Sequence, residues 1–247
     1  MDRDNQPILG KMKSVLIFRF SATEEPGYLE TFLGHRNIIW QLVQLDAGHS
    51  VPEFNDEIGA IAMMGGPMSV NDKLPWIEPI LDLIRAAIAK DVPVIGHCLG
   101  GQLLAKALGA EVKGNACKEM GWGEVRVVQE EAANEWFGGA GKFDVFHWHY
   151  ETFAIPKGAT RILNSRYCKN QAFVFNDRHI GFQCHIEMTE AMVRQWCDDG
   201  EAELVAASGA ASVQTKQRIL LELRLRIAKL NDIAADVYSR WLSNANL

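Results

Sequence analysis

The most constraining feature is the stretch at residues 92–105, VPVIGHCLGGQLLA. Its first apolar residues predict a buried strand, and the residues from Gln102 onwards predict a helix. Between them, Gly96 and Gly100 flank Cys98 in a Gly-x-nucleophile-x-Gly turn, where larger side chains would clash. Free N–H groups at the start of a helix favour a thiolate and bind an oxyanion. Cys98 is therefore a candidate nucleophile, with a buried structural cysteine as the alternative.

The first hundred residues alternate between predicted strands and helices. Apolar runs at residues 14–20, 38–45 and 58–64 predict strands, and residues 26–35 and 75–90 predict helices. This order favours a parallel sheet with helices on both faces, which binds its ligands beyond the carboxyl ends of the strands. Gly65-Gly66-Pro67 and Cys98 each follow a strand directly, so we expect them at the same edge.

The pattern changes after about Glu111. Short strand-like runs occur at residues 121–128, 143–148, 161–165, 171–175 and 179–184, followed by a predicted helix at 189–198. They predict a mixed or antiparallel section on or beside the parallel sheet, with its last strand returning to the active edge. We expect an α/β fold in a single domain over residues 1–247, with a core at about 14–200 and a helical extension at about 201–247.

Residues 213–242 form a long amphipathic segment. Its apolar residues recur with a seven-residue period, namely Leu220, Leu223, Ile227, Leu230, Ala234, Val237 and Trp241. A long C-terminal helix is predicted. It either packs along its own domain or provides a subunit interface, so a homo-oligomer is a possible assembly.

The charge and the cysteine pattern narrow the class of protein. The net charge of −6 argues against binding to nucleic acid or to an anionic membrane surface. No run approaches the ~18 apolar residues that a membrane helix needs. Five widely spaced cysteines without a CxxC pair suit a reducing compartment, and the polar start does not resemble a signal peptide. We expect a cytoplasmic protein.

A nucleophilic cysteine needs a base and a third group that orients the base. His185 follows the predicted strand at 179–184, and Glu187 stands two residues further on, on the same side of an extended segment. An alternative interpretation combines the H-x-H pair His147 and His149 with His185 as a metal triad.

Three motifs resemble those of one enzyme family. They are Gly65-Gly66-Pro67, Gly96-His97-Cys98-Leu99-Gly100 with Gln102, and Gln183-Cys184-His185-Ile186-Glu187. Over about residues 14–194, the chain resembles the class I, triad-type glutamine amidotransferases, and most of all the glutaminase domain of GMP synthase in its stand-alone form. The resemblance implies a flavodoxin-like fold and hydrolysis of the glutamine side-chain amide without a metal or an organic cofactor.

The resemblance also implies roles for individual residues. Cys98, His185 and Glu187 take the positions of the catalytic triad, and the main-chain N–H groups of Gly66 and Leu99 those of the oxyanion hole. The substrate-binding positions are Gly65, Gln102, His149 and Tyr150.

The chain departs from the family's pattern at several positions. Ile186 stands where the family commonly has proline, and Cys184 where it commonly has an aromatic residue. Tyr150 replaces the glycine of the family's H-G-D segment and adds bulk to the glutamine pocket.

Three functions stay open at this point. The first is a glutamine amidotransferase subunit that supplies ammonia to a separate synthetase. The second is a stand-alone γ-glutamyl peptidase or hydrolase, and the third is a non-catalytic binding protein on the same fold. The intact set of Cys98, His185 and Glu187 argues against the third.

Overall fold

The computed structural model describes residues 13–128, 131–243, 245 and 247. Within them, nine strands form one sheet in the order β2-β1-β3-β4-β9-β8-β7-β5-β6. The strands are β1 (Ser14–Arg19), β2 (Trp40–Gln44), β3 (Ile58–Met63), β4 (Val94–His97), β5 (Val112–Val127), β6 (Lys142–Phe153), β7 (Ala159–Ser165), β8 (Ala172–Phe175) and β9 (His179–Phe182). The helices are α1 (Tyr28–His35), α2 (Ile77–Ala89), α3 (Leu99–Ala107), α4 (Glu131–Trp136), α5 (Glu190–Asp199), α6 (Glu201–Ala206), α7 (Lys216–Leu220) and α8 (Leu223–Leu242). The predicted α/β class is confirmed; the first twelve residues of the predicted domain lie outside the described residues.

The strands β2, β1, β3, β4 and β9 run parallel to one another. Every residue of β1, β3, β4 and β9 is buried, as expected where helices cover both faces of a parallel sheet. Two apolar clusters lie on the two faces of this sheet. The alternating order of the first hundred residues therefore predicted β1 to β4 correctly, whereas β9 belongs to the later part of the chain.

The predicted meander extends the same sheet. Strands β9, β8, β7, β5 and β6 pair antiparallel in that order, and β9 lies beside β4 as the last strand of the section. The predicted strand bounds are wrong for β5 and β6, which pair over more residues as a long ribbon. The sequence analysis also missed helix α4.

The elbow helix begins earlier than predicted, at Leu99 instead of Gln102. The chain reverses within one residue, because Cys98 has φ 50° and ψ −106°. A Cβ atom at Gly96 would lie 2.3 Å from the carbonyl carbon and oxygen of Gly100, and a Cβ atom at Gly100 would lie 2.3 Å from the carbonyl oxygen of Met63. The strand and the helix can therefore approach this closely only with glycine at both positions.

The long C-terminal segment is not one helix. Helices α7 and α8 are separated at Glu222, which has the left-handed φ of 55°. Of the seven periodic apolar residues, six are buried in the core of the chain itself and Leu220 is partly buried against it. The segment thus packs along its own domain, and a homo-oligomer stays a prediction.

Among the described residues, no helix has both the length and the apolar character needed to cross a membrane.

Candidate active site

The thiol of Cys98 lies at the carboxyl edge of the parallel sheet. The backbone N–H of Cys98 donates to the carbonyl oxygen of Phe182 over 2.9 Å, which joins the elbow to the end of β9. A non-glycine residue at a positive φ of this kind costs about 1–3 kcal/mol, and such conformations cluster at functional sites. Only 7% of Cys98 is exposed.

His185 and Glu187 follow β9 and come to the same edge. The Nδ1 atom of His185 lies 2.6 Å from Oε1 of Glu187, and both side chains are 1% exposed. The backbone of His185 pairs with that of Phe146 on β6, which fixes the segment after β9. The structure thus brings together the two residues that the i, i+2 spacing placed on one side.

The electrostatics of this group favour a charged imidazole. Burial alone would lower the pKa of His185, but the Glu187 carboxylate and a hydrogen-bond interaction with the Cys98 side chain outweigh burial and hold that pKa well above its ordinary value. For the carboxyl group of Glu187, burial acts in the opposite direction and would raise the pKa. The charges of His185 and His97 nevertheless hold the pKa of Glu187 below its ordinary value. Within the described residues, Nε2 of His185 has no other hydrogen-bond partner, so it is the nitrogen left for the thiol.

The predicted oxyanion donors lie next to each other. A Cβ atom at Gly66 would lie 2.6 Å from Cδ2 of Leu99, so the Leu99 side chain packs directly against the Gly66 backbone. Leu99 is the first residue of α3, where N–H groups have no partner within the helix. Gly66 lines the same cavity as Cys98, and the oxyanion hole formed by Gly66 and Leu99 stays a prediction.

A cavity of about 490 Å³ opens onto the thiol. Its wall contains Thr23, Glu24, Gly66, Pro67, Met68, Ser69, Asp72, Cys98, Gln102, Trp148, His149, Tyr150, Glu151, Trp196, Asp199 and Gly200. Of the predicted substrate-binding residues, Gln102, His149 and Tyr150 line this cavity. Gly65 borders Glu24 and His185 instead.

Gln102 lies in a chain of amides that ends at the sulfur. Its Nε2 donates to Oε1 of Gln183 over 3.2 Å, and Nε2 of Gln183 lies 3.6 Å from Sγ of Cys98. Gln102 is 3% exposed, so it is buried at the site and is not a surface glutamine of the helix.

The side chains of His149 and Tyr150 point to different surroundings. Nε2 of His149 lies 3.0 Å from Oε2 of Glu119, and its Nδ1 lies 3.0 Å from the carbonyl oxygen of Glu151. Tyr150 is 42% exposed, and the ammonium of Lys118 lies 4.7 Å from the centre of its ring. The extra bulk predicted at this position therefore stands at the cavity wall.

The metal triad of His147, His149 and His185 is wrong. Glu119, His147 and His149 form the candidate metal cluster found among the described residues, with ligand atoms that all lie within 4.8 Å of one another. His185 belongs instead to the group of Glu187 and Cys98.

Four residues around Cys98, His185 and Glu187 were not predicted from the sequence. The rings of Trp196 and His185 meet at 90° with centroids 4.9 Å apart, and Glu24 lines the cavity. Behind Glu187, Nε2 of His97 lies 3.9 Å from Oε2 of Glu187 and 3.4 Å from the hydroxyl of Tyr238 on α8. The sequence pattern could have indicated His97, because it lies within the elbow motif. No motif contains Tyr238 or Glu24.

The fold and the site can now be compared with known proteins. The sequence profile described as glutamine amidotransferase class-I matches residues 29–194. The chain belongs to the class-I glutamine amidotransferase family. Cys98, His185 and Glu187 lie inside the matched residues, whereas Glu24 and helix α8 lie outside them.

Individual relatives agree with the family. The chain is 29% identical over 184 residues to the glutamine amidotransferase-like protein YfeJ of Salmonella typhimurium, covering 72% of this chain and 76% of that protein. It is 33% identical over 150 residues to a glutamine-hydrolyzing GMP synthase subunit of Sulfolobus acidocaldarius, covering 60% and 77%. The crystal structure of a glutamine amidotransferase from Methylobacillus flagellatus matches with a TM-score of 0.92 and 47% identity over 95% of this chain and 96% of that one.

Proposed function

We propose that this class-I glutamine amidotransferase hydrolyses the side-chain amide of glutamine through a γ-glutamyl thioester on Cys98. It releases ammonia to a separate synthetase. The observation that carries the proposal is the meeting of Cys98, His185 and Glu187, from two distant segments, beside one cavity.

In the first half of the reaction, the Cys98 thiolate attacks the amide carbon. The charge that develops on the carbonyl oxygen is stabilised by the N–H groups of Gly66 and Leu99. His185, held by Glu187, gives the proton from its Nε2 to the departing nitrogen, and the C–N bond breaks to leave the thioester.

In the second half, water attacks the thioester carbon. His185, now neutral, takes a proton from that water, and the C–S bond breaks to return the Cys98 thiolate and release glutamate. The buried Glu187 carboxylate stabilises the imidazolium in both halves, because it lies 2.6 Å from Nδ1 and makes the charged ring favourable in spite of burial.

A synthetase partner is supported by the relative from Sulfolobus acidocaldarius, which is named as one subunit of a GMP synthase. We infer that ammonia produced here is used by another polypeptide. Such a partner should raise the weak glutaminase activity of the isolated chain.

The second candidate is a γ-glutamyl peptidase or hydrolase with the same triad. It is favoured by the cavity of about 490 Å³, which falls in the ~300–1,000 Å³ range of pockets for drug-sized ligands. Its wall includes the aromatic rings of Trp148, Tyr150 and Trp196. A leaving group larger than ammonia would find apolar contacts there.

Turnover of glutamine and of a panel of γ-glutamyl dipeptides separates these functions. The wild type and Cys98→Ala are assayed side by side for ammonia and for free amino acid. A preference for glutamine supports the amidotransferase, and a preference for dipeptides supports the peptidase. Equal turnover by wild type and Cys98→Ala would contradict both and leave the binding protein.

A further inference from the structure

A carboxyl group that the mechanism above does not use lines the cavity. Glu24 lies between β1 and α1 and shares the cavity wall with Cys98 and Trp196. Its neighbour Glu25 differs, because Oε1 of Glu25 lies 2.6 Å from the guanidinium of Arg19 in an ion pair. Two adjacent glutamates thus have different surroundings.

Glu24 has an oxygen without a partner. Its Oε2 atom is buried and accepts no hydrogen bond from the described residues. A Cβ atom at Gly65 would lie 2.2 Å from this oxygen and 3.0 Å from Cε1 of His185. Glycine at position 65 therefore lets the carboxyl group and the imidazole border the same small space.

The buried position of Glu24 shifts the pKa of its carboxyl group. Burial raises its pKa to about 7; the charge of His185 lowers that pKa and the charge of Glu187 raises it. A buried carboxylate with an unpaired oxygen is costly, and a hydrogen-bond donor placed beside it would remove part of that cost. A substrate with N–H groups supplies such a donor.

The place of the leaving nitrogen follows from the imidazole ring. Cε1 of His185 is bonded to Nε2, the atom that protonates the departing amine in the proposed mechanism. A nitrogen within hydrogen-bond reach of Nε2 is therefore also close to Cε1, the ring atom that lies beside Gly65 and Glu24. The amide of glutamine, and the amine that forms from it, carry N–H groups at this point.

We propose that Glu24 is a further catalytic residue, whose carboxylate accepts a hydrogen bond from the departing amine while His185 protonates that amine. The C–N electron pair goes to nitrogen, the proton comes from Nε2 of His185, and Glu24 neither gains nor loses a proton in the step. This inference rests on the proposed function and extends it to the leaving-group side of the site.

The test compares two leaving groups with Glu24→Gln, and uses Glu25→Gln as the matched control. Glutamine leaves as an amine with N–H groups, whereas the γ-methyl thioester of glutamate leaves as a thiolate that has none. The quantity measured is kcat/KM, which includes every step up to departure of the first product. Labelling of Cys98 by a diazoketone analogue of glutamine checks that each variant is folded and able to attack.

We expect Glu24→Gln to lower kcat/KM for glutamine ~10- to 100-fold, the effect of one hydrogen bond to a charged group. The thioester should change by less than about 3-fold, and the rate of labelling should stay at the wild-type value. Glu25→Gln should change neither substrate by more than about 3-fold, because Arg19 keeps its second partner Asp46.

Three other outcomes are possible, and each contradicts a different part of the proposal. Unchanged glutamine turnover in Glu24→Gln overturns the role of Glu24 and leaves the proposed function standing. Equal losses with both substrates overturn the leaving-group assignment, since they place Glu24 on the glutamyl part. A wild type that turns over neither substrate and is not labelled at Cys98 overturns the proposed function and this inference with it.

Discussion

The molecule contains two buried groups built from glutamate and histidine, and they differ in how far the oxygens of their glutamate are paired. In the first, His185 and Glu187 lie beside Cys98. Among the described residues, Oε2 of Glu187 has no hydrogen-bond partner, and Nε2 of His185 has none other than the thiol of Cys98. In the second, Glu119 on β5 meets His147 and His149 on β6. The first reaches the cavity through Cys98, and the second borders the same cavity through His149.

The second group is held by a dense network. Oε1 of Glu119 accepts from Ser165 over 2.8 Å, and its Oε2 accepts from Gln171 over 2.6 Å and lies 3.0 Å from His149. Burial would raise the pKa of Glu119, but these partners hold it below its ordinary value. Both oxygens of Glu119 are thus paired, although Nε2 of His147 has no hydrogen-bond partner among the described residues. A buried carboxylate with both oxygens paired stabilises the fold, whereas one that orients an unpaired imidazole beside a thiol is available for chemistry.

Replacement of the nucleophile should give the largest effect on activity. Cys98→Ser and Cys98→Ala should lower kcat at least ~10⁴-fold, because loss of a nucleophile removes the covalent route. The melting temperature should change little in Cys98→Ser, which is close in size. A loss of activity that is matched by unfolding would mean that Cys98 is structural.

The next effect concerns the carboxylate of the same group. Glu187→Gln removes the charge that keeps the pKa of His185 high, so we expect a ~10²- to 10⁴-fold lower kcat/KM. The pKa of His185, followed by NMR, should also fall, because the Glu187 carboxylate no longer stabilises the charged ring. Wild-type turnover by a folded Glu187→Gln protein would show that the two groups do not differ as described.

The paired group should show the opposite balance of effects. Glu119→Ala should lower the free energy of unfolding by about 3–5 kcal/mol, since it leaves buried partners without an acceptor. The control is Glu124→Ala on the same strand, whose carboxylate pairs with the exposed side chains of Lys142 and Arg126. Chemical denaturation of both variants measures the difference, and equal stability would contradict the role of the network.

Acid should weaken the paired group through His147. Burial lowers the pKa of His147 from 6.5 to about 4, so the unfolded chain binds the proton more readily between these values. Stability from this residue is complete above about 6.5 and is lost as the pH falls towards about 4. His147→Gln should reduce this loss in urea titrations, whereas His35→Gln, at an exposed position, should not.

The smallest effect is expected at Tyr238, which lies behind His97 and Glu187. Tyr238→Phe removes the hydroxyl that lies 3.4 Å from Nε2 of His97, at a site where both side chains are fully buried. We expect a loss of about 0.5–1.5 kcal/mol in the free energy of unfolding, the usual value of one hydrogen bond. Tyr28→Phe, at a neighbouring ring that stacks on Tyr238, is the control.

The two groups also differ in how far the sequence predicted them. Cys98, His185 and Glu187 were predicted because each lies at the end of a strand of the parallel half, where chain order fixes position in the sheet. Gly96 and Gly100 allowed the sharp turn at Cys98 to be predicted, because only a residue without a side chain fits where two backbones meet.

The Glu119 cluster was not predictable in the same way. It depends on the register of β5 against β6, with Glu119 opposite His149, across a ribbon whose bounds the sequence did not give. Tyr238 is likewise set by packing of α8 over the sheet, 141 residues away from His97. Local pattern carries no signal for such distant contacts, and the same holds for Glu24 in the segment after β1.

The most direct test of the central claim is to locate the covalent adduct that a diazoketone analogue of glutamine forms with this protein. Digestion and mass spectrometry assign the modified thiol among the five cysteines, all of which are free. We expect stoichiometric labelling of Cys98 that glutamine or a γ-glutamyl dipeptide slows and that Cys98→Ser abolishes. Labelling spread over Cys117, Cys168, Cys184 and Cys197, or unaffected by either substrate, would contradict it.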